Sequence, residues 1–160
     1  MSAPASVAQA VTLVVVGDTV ADARRQLASW GLAGIDGVAV DGAAREAVSV
    51  AAGVSQGPAG DAAPLVTDAL ADADAVLVFV PAAAGEVGPS LDLVRGLAEL
   101  QGLLLVALTL TGGERHLGAL RRVADQVVRA RDPSLLQEVV LSLLRPEGLT
   151  PARSASRPPT

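Results

Sequence analysis

The chain reads as an α/β domain with three layers, a doubly wound, mainly parallel sheet of five strands covered by helices. Three observations predict it. Short continuous runs of aliphatic residues alternate with stretches whose apolar residues recur at helical spacing. The runs lack the polar alternation of half-solvated strands, so both faces of the sheet are expected to be buried, as in a parallel sheet. Core material is abundant, since 31 Ala, 23 Val and 23 Leu make up nearly half of the 160 residues. This length suits one domain, expected over residues 10–145, with a flexible N-terminus at 1–9 and a disordered Pro/Ser/Arg tail at 146–160.

Val11 to Val16 is a β-branched run closed by Gly17, the first buried strand. Asp18 or Thr19 caps a helix whose apolar residues Val20, Ala23, Leu27 and Trp30 share one stripe, and Gly31 stops it. Val38-Ala39-Val40 is a second strand, after which a helix from Ala43 to Val50 is expected, ended by Gly53. Residues 53–64 hold three Gly and two Pro, the composition of a loop or insertion. A short helix from about Pro64 to Ala71 leads into Ala75 to Val80, the clearest central strand, which Pro81 closes. Pro89 suits the first turn of the next helix, Leu93, Val94, Leu97 and Leu100 form its buried stripe, and Gly102 sits where a left-handed C-cap belongs. Leu103 to Leu110 is the fourth strand. A helix with Leu117, Leu120 and Val123 follows, then a weaker strand at Gln126 to Arg129. Asp132 as N-cap and Pro133 at N1 open the last helix, with Leu136, Val139, Val140 and Leu143 on one face.

Five β-α repeats with right-handed crossovers give a Rossmann-like or flavodoxin-like domain, in which ligands bind beyond the carboxyl ends of the strands. Chemistry is therefore expected in the loops after Val16, Val80 and Leu110. What those loops can do is narrowed by absences: the chain has no Lys, Cys, Asn or Tyr and a single His. Thiolate nucleophiles, disulfides, cysteine zinc sites, Schiff-base lysines and the P-loop lysine are excluded. No metal site and no catalytic residue is expected. A net charge of −5 argues against nucleic acid as a partner, because counterion release needs a cationic face. Residues 1–80 hold nine acids and three Arg, and residues 81–160 eight acids and nine Arg, so an anion site would fall in the second half. The longest apolar run, Leu103 to Leu108, is far short of the roughly 20 residues of a membrane span. The start lacks the positive region of a secretory signal, and a cytoplasmic location is expected.

Gly17-Asp18-Thr19 can open a helix N-terminus whose amides favour anions, although the Asp18 carboxylate opposes a phosphate and a plain N-capped turn accounts for the same residues. Ala84, Gly85 and Gly88 lie in a loop of small residues that could cradle a phosphate through backbone amides, with Glu86 opposing it. These six residues, Gly17, Asp18, Thr19, Ala84, Gly85 and Gly88, are the candidate nucleotide contacts. His116 is expected to be solvated near a helix start, and Arg121, Arg122, Arg129 and Arg131 to form a solvated face.

These residues, in this order, resemble the nucleotide-binding half of the FtsZ/tubulin family. Val11 to Val48 looks like that family's opening strand, glycine loop, helix and second strand, Ala59-Gly60-Asp61-Ala62-Ala63-Pro64 is similar to its third loop, and Ala73 through Leu110 again aligns without a gap. Asp125 to Leu136 looks like a degraded form of the strand before the central helix. The family's first glycine cluster is reduced here to Gly17, and its glycine-rich signature loop corresponds to Ala83-Ala84-Gly85-Glu86-Val87-Gly88-Pro89. The resemblance implies a GTPase fold without its hydrolytic machinery.

Asp18, Gly37 to Val48, Thr109 and Arg129 also look like a response-regulator receiver domain. In that comparison Phe79 stands where the phosphorylated Asp would be, which implies a pseudo-receiver, and residues 53–70 are an insertion. Strand order separates the two resemblances: 2-1-3-4-5 is receiver-like, whereas 3-2-1-4-5, with an extra strand near Val48 to Val54, is FtsZ-like. Both imply an interaction or regulatory domain with a protein partner or a second copy, linked in the FtsZ-like case to cell division or cytoskeletal assembly. The alternative is weak binding of GTP or another nucleotide, with no other cofactor.

Overall fold

In the computed structural model, the residues described are 11–29, 36–51, 54–81, 84–110 and 114–132, together with helical positions 134, 135, 138, 140 and 142. The expectations for Trp30, Gly31, Gly53, Pro133, Leu136, Val139, Leu143, the N-terminus and the tail lie outside them. The elements run β1 (Val11–Gly17), α1 (Val20–Ser29), β2 (Asp36–Asp41), β3 (Glu46–Ala51), β4 (Val54–Asp61), α2 (Ala62–Leu70), β5 (Ala75–Phe79), α3 (Gly88–Gln101), β6 (Leu104–Leu110), α4 (Glu114–Val123) and β7 (Gln126–Ala130). The strands form one sheet in the order β4-β3-β2-β1-β5-β6-β7. β1, β2, β5, β6 and β7 are mutually parallel, and β3 and β4 are added beyond β2 as antiparallel neighbours.

The aliphatic runs fold as their composition requires. Leu13 and Val15 of β1 enter one core cluster with Ala23 and Leu27 of α1 and with Val140, while Val14 and Val16 enter the other with residues of α2, α3 and α4. Helical residues thus pack against both faces. Because successive strand residues point to opposite sides, both sets of side chains leave water, at about 25 cal/mol for each Å² of apolar surface buried.

Local signals set the helix ends. The Thr19 hydroxyl accepts the Asp22 N–H at 3.1 Å, the geometry of an N-cap. Pro89 sits in the first turn of α3, and Gly102 closes that helix at φ 68°. Asp132 Oδ1 accepts the N–H groups of Ser134 at 3.0 Å and Leu135 at 3.2 Å. The Ser134 hydroxyl, the Leu135 amide and the Ser134 amide hold the Asp132 carboxyl below its ordinary 3.8. A depressed carboxylate stabilises the fold above its unfolded pKa and loses that contribution as pH falls through the folded one. Acid titration followed by amide NMR is therefore expected to shift the Ser134 and Leu135 signals together at a midpoint below 3.8, and Asp132→Ala to abolish the transition.

Three expectations are corrected. Leu100, expected on the buried stripe of α3, is 83% exposed, because the side that α3 buries runs through Leu91, Val94 and Ala98. Ala43 to Val50 is not a helix but a turn followed by β3, and residues 54–61 of the expected loop form β4, so the sheet has seven strands rather than five. The Asp41 carboxylate accepts the Arg45 N–H at 2.7 Å, and the Asp41 carbonyl accepts the Ala44 N–H at 3.0 Å. This turn reverses the chain, and Val48 and Val50 then alternate onto one face of the core. Sheet pairing overrides the helix propensity of an Ala-rich stretch. β4 accommodates Pro58 because it is an edge strand, where a missing N–H breaks no interior ladder, and its register shifts between Ala47 and Ser49.

The turn holds Ala44 at φ 61°, in the left-handed region that costs an L-residue roughly 1–2 kcal/mol. Ala44→Gly removes that cost against a smaller entropic penalty. It is expected to raise the unfolding free energy by about 0.5–1 kcal/mol, read from urea denaturation.

Candidate functional site

β2 lies on one side of β1 and β5 on the other, so the chain changes direction between β1 and β5. This is the switch point where open α/β sheets place ligands. A cavity of about 480 Å³ lies there, lined by Gly17, Asp18, Asp22, Arg25, Gln26, Pro81 and Ala84. The strand order brings Gly17, Asp18 and Ala84 together, and with them Asp18 and Gly85, which are 67 positions apart in the chain.

The loops around the cleft are tied to one another by their own groups. The Gly85 N–H donates to the exposed Asp18 carboxylate at 2.7 Å. The Gly42 N–H donates to the Gly17 carbonyl at 2.8 Å, and the Ser90 N–H to the Gly42 carbonyl at 3.2 Å. The Ser90 hydroxyl donates to the Asp41 carbonyl. The loops after β1, β2 and β5 are thus joined to one another and to the start of α3.

Close approach makes this possible. A Cβ on Gly17 would lie 2.8 Å from the Ala23 amide nitrogen, so the glycine lets α1 pack onto the end of β1. Gly88 opens α3 and has open space where a side chain would stand, and it is not among the cavity residues. Thr19 serves as the α1 cap. Of the six candidate nucleotide contacts, Gly17, Asp18 and Ala84 line the cavity, and Gly85 binds Asp18 instead of facing a free anion position.

The charge of the cleft also departs from a phosphate site. Asp18 and Asp22 supply two carboxylates, and among the described residues the one lining guanidinium, Arg25, is paired with Asp22. A fixed carboxylate already on the loop amide repels a phosphate that would need that amide. Among the described residues there is no cluster of three or more His, Asp or Glu that could hold a metal ion.

His116 is a further correction. It is buried, with Nε2 2.8 Å from the Ala84 carbonyl oxygen, and so anchors α4 to the loop after β5 rather than sitting in solvent. Thr109 is 1% exposed, and its hydroxyl has no partner among the described residues. Arg115, Arg121, Arg122, Arg129 and Arg131 are exposed, in keeping with a solvated face.

Sequence reasoning missed Gly42, Ser90, Asp22, Arg25 and Gln26. The signal for the first was the Asp41-Gly42 pair at the carboxyl end of β2, a turn dipeptide. Gln26 and Arg25 carried none, because only the position of α1 across the cleft gives them a role. No helix among the described residues is long and apolar enough to cross a membrane. Comparison with known protein families and with curated proteins finds no match.

Proposed function

We propose that this chain is a non-catalytic interaction module on a Rossmann-like, doubly wound frame whose switch-point loop amide at Gly85 is occupied by its own Asp18 carboxylate. The observation that carries this reading is the hydrogen bond from the Gly85 N–H to the Asp18 carboxylate. A working phosphate loop keeps its amides free and its charge positive. Here the amide is spent and the charge is negative.

An FtsZ-like origin, with a role in cell division or cytoskeletal assembly, is part of the proposal. It is supported by a strand outside β2 at Glu46–Ala51, where that resemblance calls for one. The hairpin connection of β3 departs from the helical crossover of a β-α repeat. The pseudo-receiver reading draws its support from the order β2-β1-β5-β6-β7 of the parallel strands. Weak nucleotide binding is supported by the cavity at the switch point. Cytoplasmic residence is proposed with each of these readings.

Titration with labelled GTP and ATP tests the conclusion. No binding is expected up to millimolar nucleotide. Micromolar affinity for GTP, lost on Gly85→Asp, would overturn the interaction-only reading in favour of nucleotide binding.

A further inference from the structure

We infer that the cavity at the switch point binds an organic cation, a guanidinium or ammonium group carried on an aliphatic stem. Its volume of about 480 Å³ lies within the range of small-ligand sites. Its wall combines fixed charge with apolar surface. Asp18 and Asp22 supply carboxylates, Arg25 a guanidinium, and Pro81 and Ala84 hydrocarbon against which methylene groups can lie.

The charges of the wall do not cancel. Asp22 is paired with Arg25, whereas Asp18 is held by a neutral donor, the Gly85 N–H, at 2.7 Å. Two carboxylates against one guanidinium leave the described wall with one negative charge. The bond from Gly85 orders the Asp18 carboxylate before any ligand arrives, so binding need not order it. An ionised carboxylate has about four acceptor positions, and the amide takes one. A cationic donor at another forms a charge-assisted hydrogen bond, stronger than one between neutral groups.

A bare metal ion asks more of the site. Magnesium and calcium take about six or more oxygen ligands, and among the described residues there is no group of three or more His, Asp or Glu that could hold one. An organic cation brings its own donors and its own apolar stem. The wider charge distribution favours it as well: residues 1–80, which include the lining from Gly17 to Gln26, hold nine acids and three Arg, and such an excess draws cations from solution.

Cation binding here rests on the reading that the Gly85 amide is occupied, since an amide open to phosphate would favour an anion in the same space. The nucleotide titration tests that reading, and the cation titration below can fail while it stands.

Amide NMR of the full chain in low salt, titrated with butylguanidinium, is expected to shift the Asp22, Ala84 and Gly85 signals with a dissociation constant of about 1–10 mM. Butylurea, which has the same shape without the charge, should leave them in place. Asp18→Asn keeps an oxygen for the Gly85 N–H and should weaken binding about tenfold or more. Arg25→Gln frees the Asp22 carboxylate and should tighten binding about threefold, a gain that a purely structural arginine would not give. Tighter binding of acetyl-Gly-Arg-Gly-amide than of butylguanidinium would assign the cation to a side chain of a partner protein, and weaker binding to a free small molecule. No shift up to about 100 mM butylguanidinium overturns the inference. So do equal shifts with butylurea or with magnesium, an Asp18→Asn variant that binds as tightly as the parent, or an Arg25→Gln variant that binds more weakly.

Discussion

Gly42→Ala is expected to destabilise the domain by about 3 kcal/mol or more, beyond the usual range for overpacking. A Cβ at this position would stand 1.8 Å from the Glu86 carbonyl oxygen and 3.0 Å from its carbon, both backbone atoms that no rotamer change can move aside. The loop after β5 must shift as a unit, which strains the Ser90 N–H bond to Gly42 and the Ser90 hydroxyl bond to Asp41. Against a total stability of about 5–15 kcal/mol this is a large fraction. Gly96 is the matched control: it lies in α3, is exposed, and nothing stands within 4 Å of an added Cβ. Gly96→Ala is expected to stabilise by about 0.5–1 kcal/mol through helix propensity alone. Urea midpoints of the two variants that moved in the same direction would refute the close-approach account.

Phe79→Ala is expected to cost about 3–5 kcal/mol, the range for removing a large aromatic side chain from a packed core. Among the described residues Phe79 is the largest fully buried side chain, and it shares its cluster with Leu13, Val15, Leu77, Val106 and Leu108. Neighbours of this kind, on parallel strands, are held by the sheet and cannot collapse far into the space left behind. Phe79→Asp is expected to abolish the native fold, because it sets a carboxylate among the aliphatic side chains of that cluster. The pseudo-receiver reading therefore makes a sharp prediction: the acceptor position cannot be restored by one substitution. Thermal unfolding of Phe79→Ala and the circular dichroism of Phe79→Asp measure both effects.

The elements legible in the sequence share a cause that is local to each. Val11 to Gly17 and Ala75 to Phe79 are strands because continuous aliphatic runs have only a doubly covered sheet in which to hide. Gly102, Pro89 and Asp132 act within a turn of where they stand. The stretch from Ala43 to Asp61 is not legible in the sequence, because the cause of its structure is distant. Its Ala-rich first half satisfies a helix pattern, its Gly- and Pro-rich second half satisfies a loop pattern, and only the open edge of β2 turns both into strands. His116 was placed in solvent for a similar reason, since the carbonyl that buries it belongs to Ala84, 32 positions away.

The sequence by itself determined the α/β class, the parallel central strands, the two ends of α3, the caps at Thr19 and Asp132 and the absence of lysine, cysteine and asparagine chemistry, because composition and short-range sterics are properties of neighbouring residues. The tertiary structure alone decided the state of the cleft. Asp18 and Gly85 are 67 positions apart, and Asp41 and Ser90 are 49 apart. Whether a carboxylate on one loop guards an amide on another depends on how the sheet orders its strands, and such a pairing leaves no periodicity in the chain.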